Sequence, residues 1–235
     1  MDRNAGASAR SHWWQLALIF LVVALLWDTW AVYPLKILVV FFHELSHGLA
    51  AILTGGSIVE IQLSKQQGGV AITQGGNRFL TLTAGYLGSL LFGGTILLLS
   101  ARSHNDKAIT TTLGLILIAV TLWLVRPWFG FGMWFGLITG AALLLAAQFL
   151  GKTINDWLLQ IIGLTSCLYA VLDIKSDILD RPELRSDARM LAELTGIPTI
   201  VWGILWLVIA LVLTVWFIYR AARVSDQRAA ATSEA

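Results

Sequence analysis

The chain is short of charge. Only 13% of its 235 residues are Asp, Glu, Lys or Arg, about half of what a soluble domain of this size carries. The formal net charge of +2 is too small to point to a nucleic-acid partner. Cysteine is nearly absent, and a single residue, Cys167, excludes an intrachain disulfide; it lies in an apolar run and reads as a packing residue. Histidine is scarce as well, with four in the whole chain. Set against 57% hydrophobic residues, these shortages describe an integral membrane protein with little mass outside the bilayer. The 11 tryptophans agree, since many stand near the ends of apolar runs, where an indole favours the interface.

Apolar runs long enough to cross a bilayer occupy 13–32, 35–54, 79–100, 108–125, 128–148, 155–175 and 198–219. Arg3 and Arg10 precede the first run as they would in a signal sequence. The run continues into WDTWAVYPL without a small-residue cleavage site, so it reads as an uncleaved span. Breaks at Tyr33-Pro34 and Arg126-Pro127 are short. The expected fold is therefore an all-α polytopic membrane protein of about six or seven transmembrane helices, forming one domain over 1–235. The basic residues at both ends of the chain, among them Arg220, Arg223 and Arg228, favour an even count with both termini cytoplasmic. Seven spans with the N-terminus inside separate the remaining cations only weakly.

Two segments interrupt the apolar pattern. Residues 55–78 are punctuated by the glycine pairs Gly55-Gly56, Gly68-Gly69 and Gly75-Gly76, with SIVEIQL and GVAIT between them. Both stretches are rich in β-branched residues and predict a β-hairpin. Val59, Ile61 and Leu63 alternate onto one face, and this strand is the expected edge for pairing with an extended peptide. The second segment predicts a short helix over 186–196, with Ser186 as N-cap, Asp187 in the first turn and Gly196 as the stop before Pro198. Met190, Leu191 and Leu194 on one face would lie against the membrane surface, unless the segment is a simple solvated connector.

The polar groups that the chain otherwise avoids appear in the second run. Residues 35–53 read LKILVVFFHELSHGLAAIL, with His43, Glu44 and His47 inside. Two histidines four apart fall on one helical face and can hold a zinc ion, and the glutamate beside the first can act as a base toward water. Ionisable groups at membrane depth are costly, which marks them as functional. A solvated helix would not carry Val39, Val40, Phe41 and Phe42 before the motif and Leu49, Ala50, Ala51 and Ile52 after it. The other histidines, His12 and His104, stand in polar stretches.

A catalytic zinc takes three protein ligands and keeps one position open. No histidine remains within a span, so a carboxylate is expected. Asp28 lies near the end of the first run, and Asp156, after Thr153 and Asn155, reads as part of a helix cap. Asp173, in LYAVLDIKSDIL, follows nearly a full span of apolar residues and is the most costly to leave unpaired. It is the first candidate. Asp177, one turn on and on the same face, could replace it or steady a ligand through a hydrogen bond. With Lys175 and Arg181 nearby, both also read as interfacial charges.

On these residues the chain resembles the site-2 protease family of intramembrane zinc metallopeptidases, in its small bacterial branch without a PDZ domain. That family carries His-Glu-x-x-His in one span and an aspartate near the end of a later one. The matching positions here are His43, Glu44, His47 and Asp173. The similarity extends to the glycine-rich hairpin and to AGYLGSLLFGG at 84–94, small residues of the kind that let a helix pack closely beside the metal helix. The chain departs from the family pattern in having Asp173-Ile174 where Asp-Gly is usual, and Val171-Leu172 where Asn-Pro often stands. The resemblance implies a zinc metalloendopeptidase with Glu44 as general base, acting on membrane-embedded protein or peptide substrates in a bacterial inner membrane. Two other classes compete. A degenerate protease would bind partner helices without cutting, but such proteins typically lose the glutamate, and Glu44 is present. A metal or proton transporter would spread acids along several spans, whereas the acids here sit mostly near span ends.

Overall fold

Capping chemistry sets several element boundaries. Pro34 stands in the first turn of a helix, where its missing N–H is not needed, and the same helix stops at Thr54 before Gly55, whose φ of +89° suits glycine. Asn77, Asn105 and Ser186 each begin a helix by accepting a backbone N–H, from Leu80 at 3.1 Å, Ala108 at 3.2 Å and Arg189 at 3.3 Å. The structure, a computed structural model, describes residues 3–103, 105–181 and 185–233; His104 falls outside them. Among the described residues the order is α1 (Arg3–Leu25), α2 (Tyr33–Leu53), β1 (Ser57–Leu63), β2 (Gly69–Gln74), α3 (Arg78–Arg102), α4 (Asp106–Leu124), α5 (Phe131–Phe149), α6 (Lys152–Lys175), α7 (Asp187–Thr195) and α8 (Thr199–Ser233). A π-helical turn, Ser176–Asp180, continues α6.

Among the described residues six helices are long and apolar enough to cross a membrane: α2, α3, α4, α5, α6 with its π turn, and α8. The expected all-α polytopic class is thus observed. The first run falls short of the expected span, because the chain turns after Leu25 instead of continuing to residue 32. The apolar part of α1, His12–Leu25, is about 21 Å long against a hydrocarbon core of about 30 Å. It packs along α6 and α8.

The helix that carries the His-Glu-x-x-His motif lies at the centre. In α2, 72% of the most apolar window is buried, against 22% in α4, whose remaining surface is left for lipid. Ile37 to Phe42 and Leu45 of α2 form the main core with Ile61 and Leu63 of β1 and with Ile96, Leu117 and Leu124. Helix α3 lies against both α2 and α6. Glycines bring α3 and α6 close: a Cβ on Gly93 would stand 2.7 Å from the Gly163 carbonyl oxygen, and one on Gly163 would stand 2.8 Å from that of Gly93. In lipid such close packing does the work that water exclusion does in a soluble core.

The hairpin and the short helix both form, but their faces differ from expectation. A bulge between Ile58 and Glu60 leaves Val59 unpaired and exposed, while Ile61 and Leu63 turn into the core. Met190, Leu191 and Leu194 do not share one outward face of helix α7. The helix docks on the bundle through Ala188 and Leu191, both fully buried in one cluster with Leu82, Tyr86, Ile174 and Trp206, and Leu194 is left exposed.

The atoms facing Gly163 are the Gly93 carbonyl oxygen and the N and Cβ of Leu97, and none of them can yield as a side-chain tip would. Gly163→Val is expected to destabilise the protein by about 2 kcal/mol or more, read as a lower thermal unfolding midpoint in detergent. Gly151→Ala, with nothing within 4 Å of the new Cβ, is the control and should leave the midpoint unchanged. Equal midpoints for the two variants would refute the close α3–α6 approach.

Candidate metal centre

The face of α2 that carries Lys36, Val40, His43, Glu44 and His47 opens onto a cavity of about 1090 Å³. Its other walls come from β2, the start of α3, the end of α6 and the start of α7. Polar atoms therefore collect along one stripe of a helix whose remaining faces are packed in the apolar core.

The Nε2 atoms of His43 and His47 converge on a single carboxylate oxygen, Asp187 Oδ2, at 3.1 and 3.2 Å. The three side chains are 12%, 9% and 9% exposed, so the cluster is nearly dry. His47 Nδ1 donates to the Thr81 carbonyl at 2.7 Å. That bond fixes the tautomer and leaves Nε2 of the neutral ring as a free donor of its lone pair. The rings of His43 and His47 meet edge to face with centroids 4.7 Å apart, and Tyr86 stands against His43 at 4.8 Å. Burial opposes ionisation of Asp187, but His47 and His43 outweigh it and hold the carboxyl well below the usual carboxylate range.

This donor set fits a zinc ion. Two imidazole nitrogens and a carboxylate oxygen lie within 4.8 Å of one another, which supplies three ligands of the kinds zinc takes and leaves one position open. Donors at about 2.0–2.1 Å from one tetrahedral ion stand roughly 3.4 Å apart, near the two separations observed. The cradle is shaped by Gly85 of α3, where a Cβ would come within 2.6 Å of Cε1 of both His43 and His47. Glycine here admits both rings.

Glu44 is buried beside this group without belonging to it. It is backed by β2: a Cβ on Gly69 would stand 2.6 Å from Glu44 Cγ, and the Ala71 backbone N–H is directed at its carboxylate. Asp173, expected as the third member, lines the cavity but stands outside the cluster. The Tyr169 hydroxyl, one turn before it on α6, donates to the Gln67 carbonyl at 3.4 Å. Asp177 Oδ2 accepts from the Tyr86 hydroxyl at 3.0 Å, and its other oxygen pairs with Arg181. The two acids run along the wall built by the end of α6. The return of the chain lays the first residue of α7 over the histidines, so Asp187 takes the place expected of Asp173. In the sequence Asp187 reads as a first-turn acid after an N-cap, and it is that too, since Ser186 caps α7. Nothing local marks its second role.

The strand bordering the cavity also differs from expectation. Ile61 pairs with Ala71, and Ile61 directs its carbonyl away from β2, accepting the Arg126 N–H at 2.9 Å. In an antiparallel ladder its partner then directs its own N–H and C=O to the opposite side, which for Ala71 is the side of Glu44. The outer edge of β1 is occupied at Ile61, and Ile61 and Leu63 are core residues. Among the described residues β2 has no such bridge on its outer side, and it is β2 that borders the cavity.

A family model described as Peptidase M50B-like matches residues 16–217. No curated protein and no solved structure matches the chain. The matched stretch runs from α1 into α8 and contains the three residues of the cluster and the flanking Glu44, in agreement with the resemblance to site-2 proteases. With most of its length covered, the chain belongs to the Peptidase M50B-like family of membrane metallopeptidases.

Proposed function

We propose that the protein is an intramembrane zinc metalloprotease in which His43, His47 and Asp187 hold the metal and Glu44 is the general base. The observation that carries this reading is the convergence of two Nε2 atoms on one Asp187 oxygen in a cavity that also presents Glu44. When bound, zinc supplies Lewis acidity, bringing water near neutrality in pKa and polarising a carbonyl. Glu44 takes the proton from water as its oxygen attacks the scissile carbonyl carbon. As the C–N bond breaks, Glu44 returns the proton to the amine nitrogen, leaving a carboxylate and an amine. The Ala71 N–H, directed at the Glu44 carboxylate, holds it toward the cavity. Asp173 and Asp177, the latter engaged by Tyr86 and Arg181, line the cavity and would border the route by which water and substrate enter.

Substrates on this reading are membrane-embedded proteins or peptides, with a bacterial inner membrane as the setting. A transmembrane helix has its backbone groups internally bonded, so a scissile carbonyl is reached only after local unwinding. The open edge of β2 would hold the unwound stretch extended by main-chain hydrogen bonds.

Three outcomes are expected. Glu44→Gln should lower cleavage of single-span model substrates in proteoliposomes by about 10²–10⁴-fold while retaining metal; cleavage at the wild-type rate would sink the mechanism. Purified wild type should carry about one zinc per chain, as should Asp173→Asn, whereas His43→Ala and Asp187→Asn should lose it. Zinc lost from Asp173→Asn and kept by Asp187→Asn would return the third ligand to α6. Finally, Gly85→Ala should weaken zinc binding about 10–100-fold in chelator competition, because its methyl displaces both imidazoles; unchanged affinity would show that α3 does not shape the site.

A further inference from the structure

Lys36 has no part in the chemistry above, yet it stands on the same face of α2. It precedes His43 by seven residues, just under two helical turns. Its side chain is 9% exposed and lines the cavity that holds His43 and Glu44. A buried ammonium beside a core of apolar side chains calls for a counter-charge. Among the described residues its ion pair is with Asp28 at 3.6 Å, beyond hydrogen-bond reach, and the Asp28 side chain is 96% exposed. A pair of that kind contributes little. The Trp27 ring lies 4.5 Å from Nζ and meets Tyr169 at 5.8 Å. The ammonium is thus set over an aromatic floor at one end of the cavity, with N–H donors left for an incoming acceptor. Arg78, Arg181 and Arg185 also line the cavity, but all three are exposed at its rim.

The hairpin gives this cation a direction. Gly69 of β2 faces Glu44, and Gly76 faces Ala51 and Thr54, so β2 and α2 run the same way. A peptide paired antiparallel to β2, the stronger of the two ladders, runs the opposite way. Its C-terminal part leaves the Gly69 end and passes toward Lys36. Along the helix axis Lys36 lies roughly 10 Å from His43, and its stem leans further toward the N-terminus. At about 3.3 Å per residue, an extended chain covers that distance in roughly three to five residues.

We propose that Lys36 is a specificity-determining residue that receives a substrate carboxylate, an acidic side chain or a free C-terminus, about three to five residues beyond the scissile bond on its C-terminal side. The proposal rests on the proteolytic reading, and its test separates the two. Apolar peptides carrying a single Asp, Ala or Lys at each position, with either a free or an amidated C-terminus, are offered in detergent to wild type, Lys36→Met and Lys36→Glu. Equal zinc content in the three proteins confirms that each variant is folded. Wild type should favour Asp at one position in this window about tenfold over Ala, mainly through KM. Lys36→Met should lose that preference, and Lys36→Glu should transfer it to Lys. A preference for the free terminus over the amide assigns the carboxylate to the chain end, and one that follows Asp assigns it to a side chain. Cleavage with the same charge preference in all three proteins overturns the role of Lys36 and leaves the protease standing. If wild type cleaves nothing, the same peptides are titrated by fluorescence anisotropy onto Glu44→Gln protein with Lys, Met or Glu at position 36. A charge preference that follows position 36 then sustains the Lys36 site while the proteolytic reading falls; indifference or no binding overturns Lys36 as well.

Discussion

His43, His47 and Asp187 hold one another at 3.1 and 3.2 Å, nearly closed off from solvent, and an isolated charge so buried would be costly. Much of the surrounding structure follows from that mutual dependence. Helix α2 is enclosed by its neighbours because it carries two of the three groups. Helix α3 needs a glycine at position 85, since any side chain there would meet both rings. Helix α7 is fastened by Ala188 and Leu191, so that its first residue stays over the histidines. A metal ion of charge +2 in this position would replace a proton-dependent balance with a coordinate one, using the same three atoms.

The hairpin addresses a second problem, the unpaired edge. An open strand edge is a liability wherever water is scarce, because its N–H and C=O groups have nowhere to bond. Here the edge of β1 is engaged at Ile61 by Arg126, and Ile61 and Leu63 are sealed into the core. The edge of β2 is left facing the cavity beside Glu44. The bulge at Val59 divides the exposed beginning of β1 from its buried end. On the proposed function, the groups that need partners are the ones an unwound peptide would satisfy.

Around this centre the bundle is built by close approach. Gly93 with Gly163, and Gly114 with Gly140, bring backbones of α3 and α6, and of α4 and α5, nearly into contact. Lipid offers apolar side chains no penalty, so burial alone cannot hold such helices together; packing and interhelical hydrogen bonds can. The Ser166 hydroxyl, donating to the Ser89 carbonyl at 2.8 Å beside the Gly93–Gly163 contact, is one such bond.

The membrane class, the hairpin and the His43-Glu44-His47 stripe are legible in the sequence, because each rests on a local period or on composition. Apolar runs report spans through length alone, glycine pairs mark turns, and a spacing of four puts two histidines on one face. The short helix is legible in its caps, Ser186 and Gly196, for the same reason. What surrounds these elements is not. Asp173 looks costly only while the cavity it lines is unknown. Asp187 looks like an ordinary first-turn acid until α7 is docked with its first residue against the two histidines. The strand edge that faces the site depends on a one-residue bulge and on Arg126, 65 residues from Ile61 in the chain. Sequence by itself determined which groups could do chemistry, since side-chain identity and helical spacing are local properties. Only the tertiary structure decided which carboxylate meets the imidazoles and which edge meets the cavity, since both depend on contacts between residues far apart in the chain.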